Sequence, residues 1–233
     1  MNDTKFVKVE GVKEVKSDKK FANRSNGTYT IEGKRYPSVT TILQALSKPA
    51  LINWACKMGW EIGAKAKTSV ELFEQFRKIS DDAKTRGSDA HTFIDNYFKI
   101  GTKLPSIEEN EYVFGFKKFL VENKVKPLHV EFQLHSNKYK YAGTCDFHGI
   151  INDVEYIVDF KTNKYGRVYP DVELQVNAYS NATHEMGLVD KVLPTMCVAI
   201  SPKGYSVKVW KENPIQLFLN VYEVWKWMNP NKI

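Results

Sequence analysis

Cysteine is scarce in this chain: 233 residues hold three, Cys56, Cys145 and Cys197. They are odd in number and widely spaced, which excludes a four-thiolate zinc or iron–sulfur site within one chain. A reduced, cytoplasmic protein is the expectation. Long apolar runs are also missing. No stretch approaches the roughly 20 residues of a membrane span, so no membrane partner is expected. The N-terminal segment lacks an apolar signal core, and Asp3, Glu10 and Glu14 speak against an organellar transit peptide. Asn-x-Ser/Thr matches such as Asn26-Gly27-Thr28 are then chance. Repeats and low-complexity segments are absent as well. Acid is in deficit, with 27 Asp and Glu against 34 Lys and Arg, for a net charge of +7. That balance favours a polyanionic partner.

What is present suits one globular domain with at most a small appendage. Hydrophobic residues make up 42% and aromatics 13%, enough for a substantial core. Residues 1–28 are lysine-rich with few turn signals and read as a basic flexible arm, with room for a short edge strand. Residues 29–233 form the main domain, mostly helical over 29–125 and sheet with closing helices over 126–233. Tyr29–Ile31 and Lys34–Tyr36 flank Glu32-Gly33 as a small hairpin. Ser38 can cap a helix carrying Val39, Ile42, Leu43 and Leu46. Another follows Pro49, with Leu51, Trp54, Ala55 and Met58 on one stripe. Thr68 and Glu71 form a capping-box pattern that opens a short helix through Phe76. Ser80 can cap the next, whose stripe runs Ala83, Gly87, Ala90, His91, Ile94 and Phe98. Residues 108–124 are again amphipathic. Strands follow at His129–His135, Tyr141–Ile151 and Val154–Thr162, then a helix capped by Asp171 with Val172, Gln175, Val176 and Tyr179 aligned. Strands near Val192–Ile200 and Tyr205–Trp210 precede a last helix after Pro214, with Leu217, Val221, Val224 and Met228 as its stripe.

The most informative stretch is Gly143-Thr144-Cys145-Asp146 with Asp159-Phe160-Lys161. The runs 145–151 and 154–160 are joined by Asn152-Asp153, a turn-favouring pair. With those two as the loop, Asp146 falls directly opposite Asp159, on one sheet face, with Cβ atoms about 5 Å apart. Alternation puts Lys161 beside Asp159 and turns Val158 and Phe160 to the other face. Like charges opposite each other destabilise a sheet, so the pair calls for a cation, and carboxylates are the ligands of hard divalent metals. A solvent-facing hairpin is the competing explanation. Around it stand His91, four residues after a helical glycine that costs about 1 kcal/mol relative to alanine, then Glu131, and Gln175 with Tyr179 one turn apart.

Taken in order, Gly87-x3-His91, Glu131, Gly143-Thr-Cys-Asp146, Asp159-Phe-Lys161 and Gln175-x3-Tyr179 resemble the PD-(D/E)XK nuclease superfamily, RecB-like branch. The match is nearest to the group of the mitochondrial genome maintenance exonuclease and its phage and bacterial relatives. The segment Tyr36-Pro37-Ser38-Val39-Thr40-Thr41-Ile42-Leu43 with Leu51-x2-Trp54 is similar to the opening of those proteins. The resemblance covers residues 36–179. It implies an α/β fold with a restriction-endonuclease-like core: a central mixed sheet flanked by helices, with an N-terminal helical wall. It implies a metal-dependent DNA exonuclease of replication, repair or recombination, acting from single-stranded ends. Asp146, Asp159, His91 and the Phe160 carbonyl would hold Mg²⁺ or Mn²⁺. Lys161 would orient or deprotonate the attacking water, Gln175 and Tyr179 would brace it or touch the phosphate, and Glu131 would stand behind the metal ligands. Lys164, Tyr165 and Arg167 mix base-stacking with phosphate-binding chemistry, although a solvated loop accounts for them too. His91 as a buried structural histidine, Gln175 and Tyr179 as ordinary helix positions, and His148 as structural remain open. So do a structure-specific endonuclease and a catalytically idle DNA-binding protein. Two qualifications apply: the first acid follows Gly-Thr-Cys instead of the eponymous proline, as is usual for this branch, and residues 1–28 have no counterpart.

Overall fold

The computed structural model describes residues 21–232; most of the basic arm lies outside them. The edge strand for which that arm had room is Phe21–Ser25 (β1), which pairs antiparallel with Thr28–Ile31 (β2), itself paired with Lys34–Pro37 (β3). Both turns are tight ones built on positive φ: Asn26 and Gly27 at 50° and 75°, Glu32 and Gly33 at 50° and 77°. These are the values a two-residue hairpin loop demands. Ser38 caps Val39–Ile42 (α1), its Oγ accepting the Thr41 N–H at 3.1 Å. A short 3₁₀ turn over Leu43–Ala45 completes that segment. Pro49–Gly63 is α2.

The two helices expected on either side of Ser80 are one, Ser69–Ile100 (α3), 32 residues long. Thr68 caps it as expected, accepting the Glu71 N–H at 3.2 Å while Glu71 Oε2 accepts the Lys67 N–H at 2.9 Å. Ser80 does not cap because nothing precedes it that breaks a helix. No proline or glycine occurs between Ser69 and Arg86, and an interior serine costs a helix little. The helix ends on Gly101 in the left-handed region, φ 66°. The next helix is shorter than 108–124: Val113–Glu122 (α4). Ser106 and Glu109 bond each other's backbone ahead of it (2.6 and 3.2 Å) in a separate turn.

A five-stranded sheet follows in chain order: Val125–Ser136 (β4), Tyr141–Ile151 (β5), Val154–Thr162 (β6), Thr195–Ser201 (β7) and Gly204–Trp210 (β8). Only β6 and β7 run parallel, and Pro170–Glu185 (α5) makes their crossover. Tyr169 and Pro170, not Asp171, start α5; Asp171 lies in its first turn, 2.9 Å from Lys48 Nζ. The protein is therefore α/β, a mixed central sheet with helices on both faces. On one face Ala90, Ile94 and Phe98 of α3 and Phe116 and Phe119 of α4 pack on Phe147, Val158 and Phe160. On the other, α1, α5 and Ile215–Met228 (α6) pack on Phe132, Tyr141, Cys145 and Ile157.

Most of the stripe read for α6 faces outward; of its four residues Val221 alone packs half-buried against the core. Leu217, Val224 and Met228 are exposed, while Phe218, Tyr222 and Trp225 are buried. Both sides of that helix are apolar, and aromatics bury more area per residue, so the face with three of the four aromatics takes the core while Trp227 stays exposed.

Candidate active site

The hairpin forms in the register its turn predicts, from Ile151↔Val154 to Phe147↔Val158, with Asn152 and Asp153 at φ 49° and 67°. The ladder stops one step short of the acids. Beyond it β5 stays with β4, while β6 continues with β7. Asp146 fills the gap: its Oδ2 accepts the Phe160 N–H at 2.9 Å, doing with a side chain what a backbone carbonyl does in a ladder.

The expected strict alternation also fails here. Cys145 belongs to the cluster under α5, and Phe147, two residues on, to the cluster under α3 and α4. Residues two apart in a regular strand share a face, so β5 changes faces at Asp146. Its neighbour does the same: Val130 and Phe132 lie in opposite clusters, with Glu131 between them at φ 48°. The pairs Val130↔Phe147 and Phe132↔Cys145 bracket Glu131 and Asp146, so the two distortions coincide. A non-glycine residue in that conformation inside a strand is strained.

The result is a cavity of about 500 Å³ lined by His91 and Asp95 from α3, Glu131 from β4, Asp146 from β5, Asp159 and Lys161 from β6, and Gln175 and Tyr179 from α5. Lys161 Nζ lies 2.7 Å from Asp159 Oδ2, an ion pair without a well-aligned hydrogen bond to that oxygen. Gln175 ties the group together. Its Nε2 donates to Asp159 Oδ1 at 2.7 Å and to Tyr179 Oη at 3.1 Å, and its Oε1 accepts from Lys161 Nζ at 3.2 Å. Tyr179 fits closely against β5 because residue 143 is glycine; a Cβ there would sit 2.5 Å from its ring. Gly87 marks the close approach its position suggested, since a Cβ would come within 3.2 Å of Thr162 Oγ1. That approach carries His91 in, with Nδ1 3.7 Å from Asp146 Oδ2.

Four carboxyls share this space, and each is pushed above its ordinary value. Asp159 is raised to about 6, by burial first and by the charge of Asp146, with Lys161 pulling the other way. Asp146 is raised by burial and by Glu131, against His91, Lys161 and the Phe160 amide. Asp95 is raised to about 7 by burial, then Glu131 and Asp146. Glu131 is raised by burial. Burial alone would lower the Lys161 ammonium, yet Asp159 and Asp146 hold it above its ordinary value.

This donor set fits a hard divalent cation. It is rich in carboxylate oxygen, short of positive charge and paired with one imidazole. Among the described residues, however, no three His, Cys, Asp or Glu side chains converge closely enough to complete a ligand set by themselves. Of the expected ligands, His91 and Asp146 stand together, Asp159 is engaged by Lys161 and Gln175, and Phe160 meets Asp146 through its N–H. Glu131 lines the cavity itself. Asp95 went unnoticed in the sequence, although its place one helical turn after His91 was the available signal. His148 is structural: it is buried, bonded to Glu155 at 2.7 Å and to His129 at 2.8 Å. Lys164, Tyr165 and Arg167 do not line the cavity.

No family model matches the chain, and no curated protein matches it. Among solved structures, a protein crystallised as SSO0001 is similar at 12% identity over 76% of this chain and 86% of that one, with a TM-score of 0.38. A likeness that weak adds nothing to the reading of the site. No described helix is long and apolar enough to cross a membrane.

Proposed function

We propose that this protein hydrolyses DNA phosphodiester bonds, with Asp146, Asp159 and His91 as ligands for Mg²⁺ or Mn²⁺. The observation that carries the reading is the meeting of these three with Lys161 in one polar cavity, in a chain of net charge +7. The motif order that resembles the RecB-like branch of the PD-(D/E)XK nucleases supports it. A bound ion would lower the pKa of a coordinated water and offset charge on the phosphate.

The chain's own residues do the rest. Lys161 presents its ammonium to the phosphate and orients the attacking water. Gln175 fixes Lys161 and Asp159 relative to each other, so neither must reorganise when charge develops. Tyr179 anchors Gln175. Glu131 and Asp95 deepen the negative potential that draws the ion in. Ser88, His91, Thr92 and Asp95 of α3 form one wall of the cavity, which a flexible single strand would follow and a stiff duplex would not. Exonucleolytic action on single-stranded ends, in replication, repair or recombination within the cytoplasm, is the fullest form of the proposal.

The test is a gel assay on end-labelled single- and double-stranded DNA with Mg²⁺ or with EDTA, alongside circular and linear single strands. Mg²⁺-dependent shortening of the linear strand with the circle intact is the expected result. Rapid cutting of the circle would transfer the reading to an endonuclease. No cutting of any substrate would leave a DNA-binding protein without activity.

A further inference from the structure

Lys164, Tyr165 and Arg167 stand outside the cavity, in the loop that leaves β6 two residues after Lys161. That loop is firmly built. Asn163 Oδ1 accepts the N–H groups of Tyr165 and Arg167 at 3.2 and 2.9 Å, and its Nδ2 donates to the Arg167 carbonyl at 2.9 Å. The Asn163 N–H donates to Ile200 at 3.1 Å, and the Gly166 N–H to Asn163 at 3.2 Å. Ser206 Oγ donates to the Gly166 carbonyl, and Gly166 takes the φ of 61° that closes the turn.

What this scaffold holds up is an aromatic ring in solvent. Tyr165 is 67% exposed and belongs to no hydrophobic cluster. Lys164 Nζ lies 5.9 Å from its ring centroid and the Arg167 guanidinium 5.3 Å, within the reach of cation–π attraction. Neither cation has a carboxylate partner among the described residues. A solvated loop would account for the exposure but not for a ring that a bonded loop holds beside two unneutralised cations. Stacking surface flanked by positive charge is what single-stranded nucleic acid binds.

We propose that Tyr165 is a stacking platform for one unpaired base of the strand whose phosphate enters the cavity, with Lys164 and Arg167 holding the phosphates on either side. This rests on the nucleic-acid reading above. The position of the base follows from chain length. Tyr165 is four residues past Lys161, so their Cα atoms lie within about 14 Å, at most about four nucleotides even at the close 3.4 Å spacing of a stacked strand. A duplex has no free base face to offer, so the platform selects single strands.

The experiment measures binding without cleavage: fluorescence anisotropy of a labelled oligothymidylate with the full chain in EDTA. Tyr165→Ala should bind about 5- to 150-fold more weakly, the range for loss of one stacked base, with an unchanged melting curve. Tyr165→Trp should restore affinity. A single abasic site moved along the oligonucleotide should weaken the wild type at one position within about four nucleotides of the scissile one, and leave Tyr165→Ala indifferent there. Polyphosphate, which has no bases, should bind both alike. Tyr165→Ala binding within twofold of the wild type would overturn the proposal, as would an equal loss on polyphosphate. If the wild type binds no oligonucleotide at all, the nucleic-acid reading falls and this platform with it.

Discussion

A divalent cation should stabilise this protein more at alkaline than at acid pH, by an amount the site itself sets. Asp159 is 1% exposed and titrates near 6 where an unfolded aspartate titrates at 3.8. Its folded pKa is the higher, so the folded state favours the protonated form. The associated stability is complete below about pH 4 and is lost as pH rises through 6. Two pKa units at about 1.4 kcal/mol each put the loss on the order of 3 kcal/mol. A cation bound between the ionised carboxylates recovers that energy; at a hundred times its Kd the linkage is worth about 2.7 kcal/mol. For a chain of this length each kcal/mol moves Tm by about 2–4 °C, so Mn²⁺ or Mg²⁺ should raise Tm by roughly 5–11 °C at pH 8. At pH 5 protons compete for the same oxygens and the shift should largely vanish. Thermal melts followed by circular dichroism, at ionic strength matched with NaCl and without DNA, measure this. Equal shifts at the two pH values, or a full shift in an Asp146→Asn/Asp159→Asn double variant, would refute the reasoning.

Lys161→Ala should reduce DNA cleavage to background while leaving affinity within a few-fold in a binding assay in EDTA, because one phosphate contact is a small part of a many-contact interface. Gly143→Ala should cost about 1–3 kcal/mol in denaturant melts and depress activity, since its methyl must displace the Tyr179 ring that anchors Gln175. Burial, opposed by Glu155, lowers the His148 pKa below 6.5; a depressed histidine contributes stability that is present above 6.5 and lost as pH falls through its folded value. The difference in stability between the wild type and His148→Gln, followed by denaturant titration from pH 7 to pH 5, should therefore shrink on acidification.

Much of this arrangement was legible because it is local. The Asn152-Asp153 turn fixed the hairpin register as far as Phe147 and Val158, one step short of the acids. The spacing of Gly87 and His91 announced a close approach, and Gln175 with Tyr179 a common helix face. The parts that were not legible depend on distant contacts. Periodicity in α6 could not choose between two apolar faces, because that depends on which one the sheet accepts. Ser80 looked like a cap because capping chemistry is visible in a sequence, whereas the continuity of a helix past it is not. The face change at Glu131 and Asp146 was hidden for a related reason: alternation assumes a regular strand, and a positive φ at a glutamate has no residue-type signature. That change brings Glu131 into the cavity instead of behind it.

The unbroken α3 also has a mechanical consequence. It is held near its C-terminal third, where Gly87 meets Thr162 and Ala90, Ile94 and Phe98 enter the core. From that fulcrum about 20 residues, some 30 Å at 1.5 Å each, extend toward Ser69, past the exposed Phe73 and Val70. A tilt of about 5° would sweep the far end, on which α2 packs through Trp54 against Phe76, through nearly 3 Å over such a length, yet shift His91, beside the fulcrum, by only a few tenths of an ångström. Geared down in this way, a swing of that arm would leave the 3.7 Å between His91 and Asp146 nearly constant.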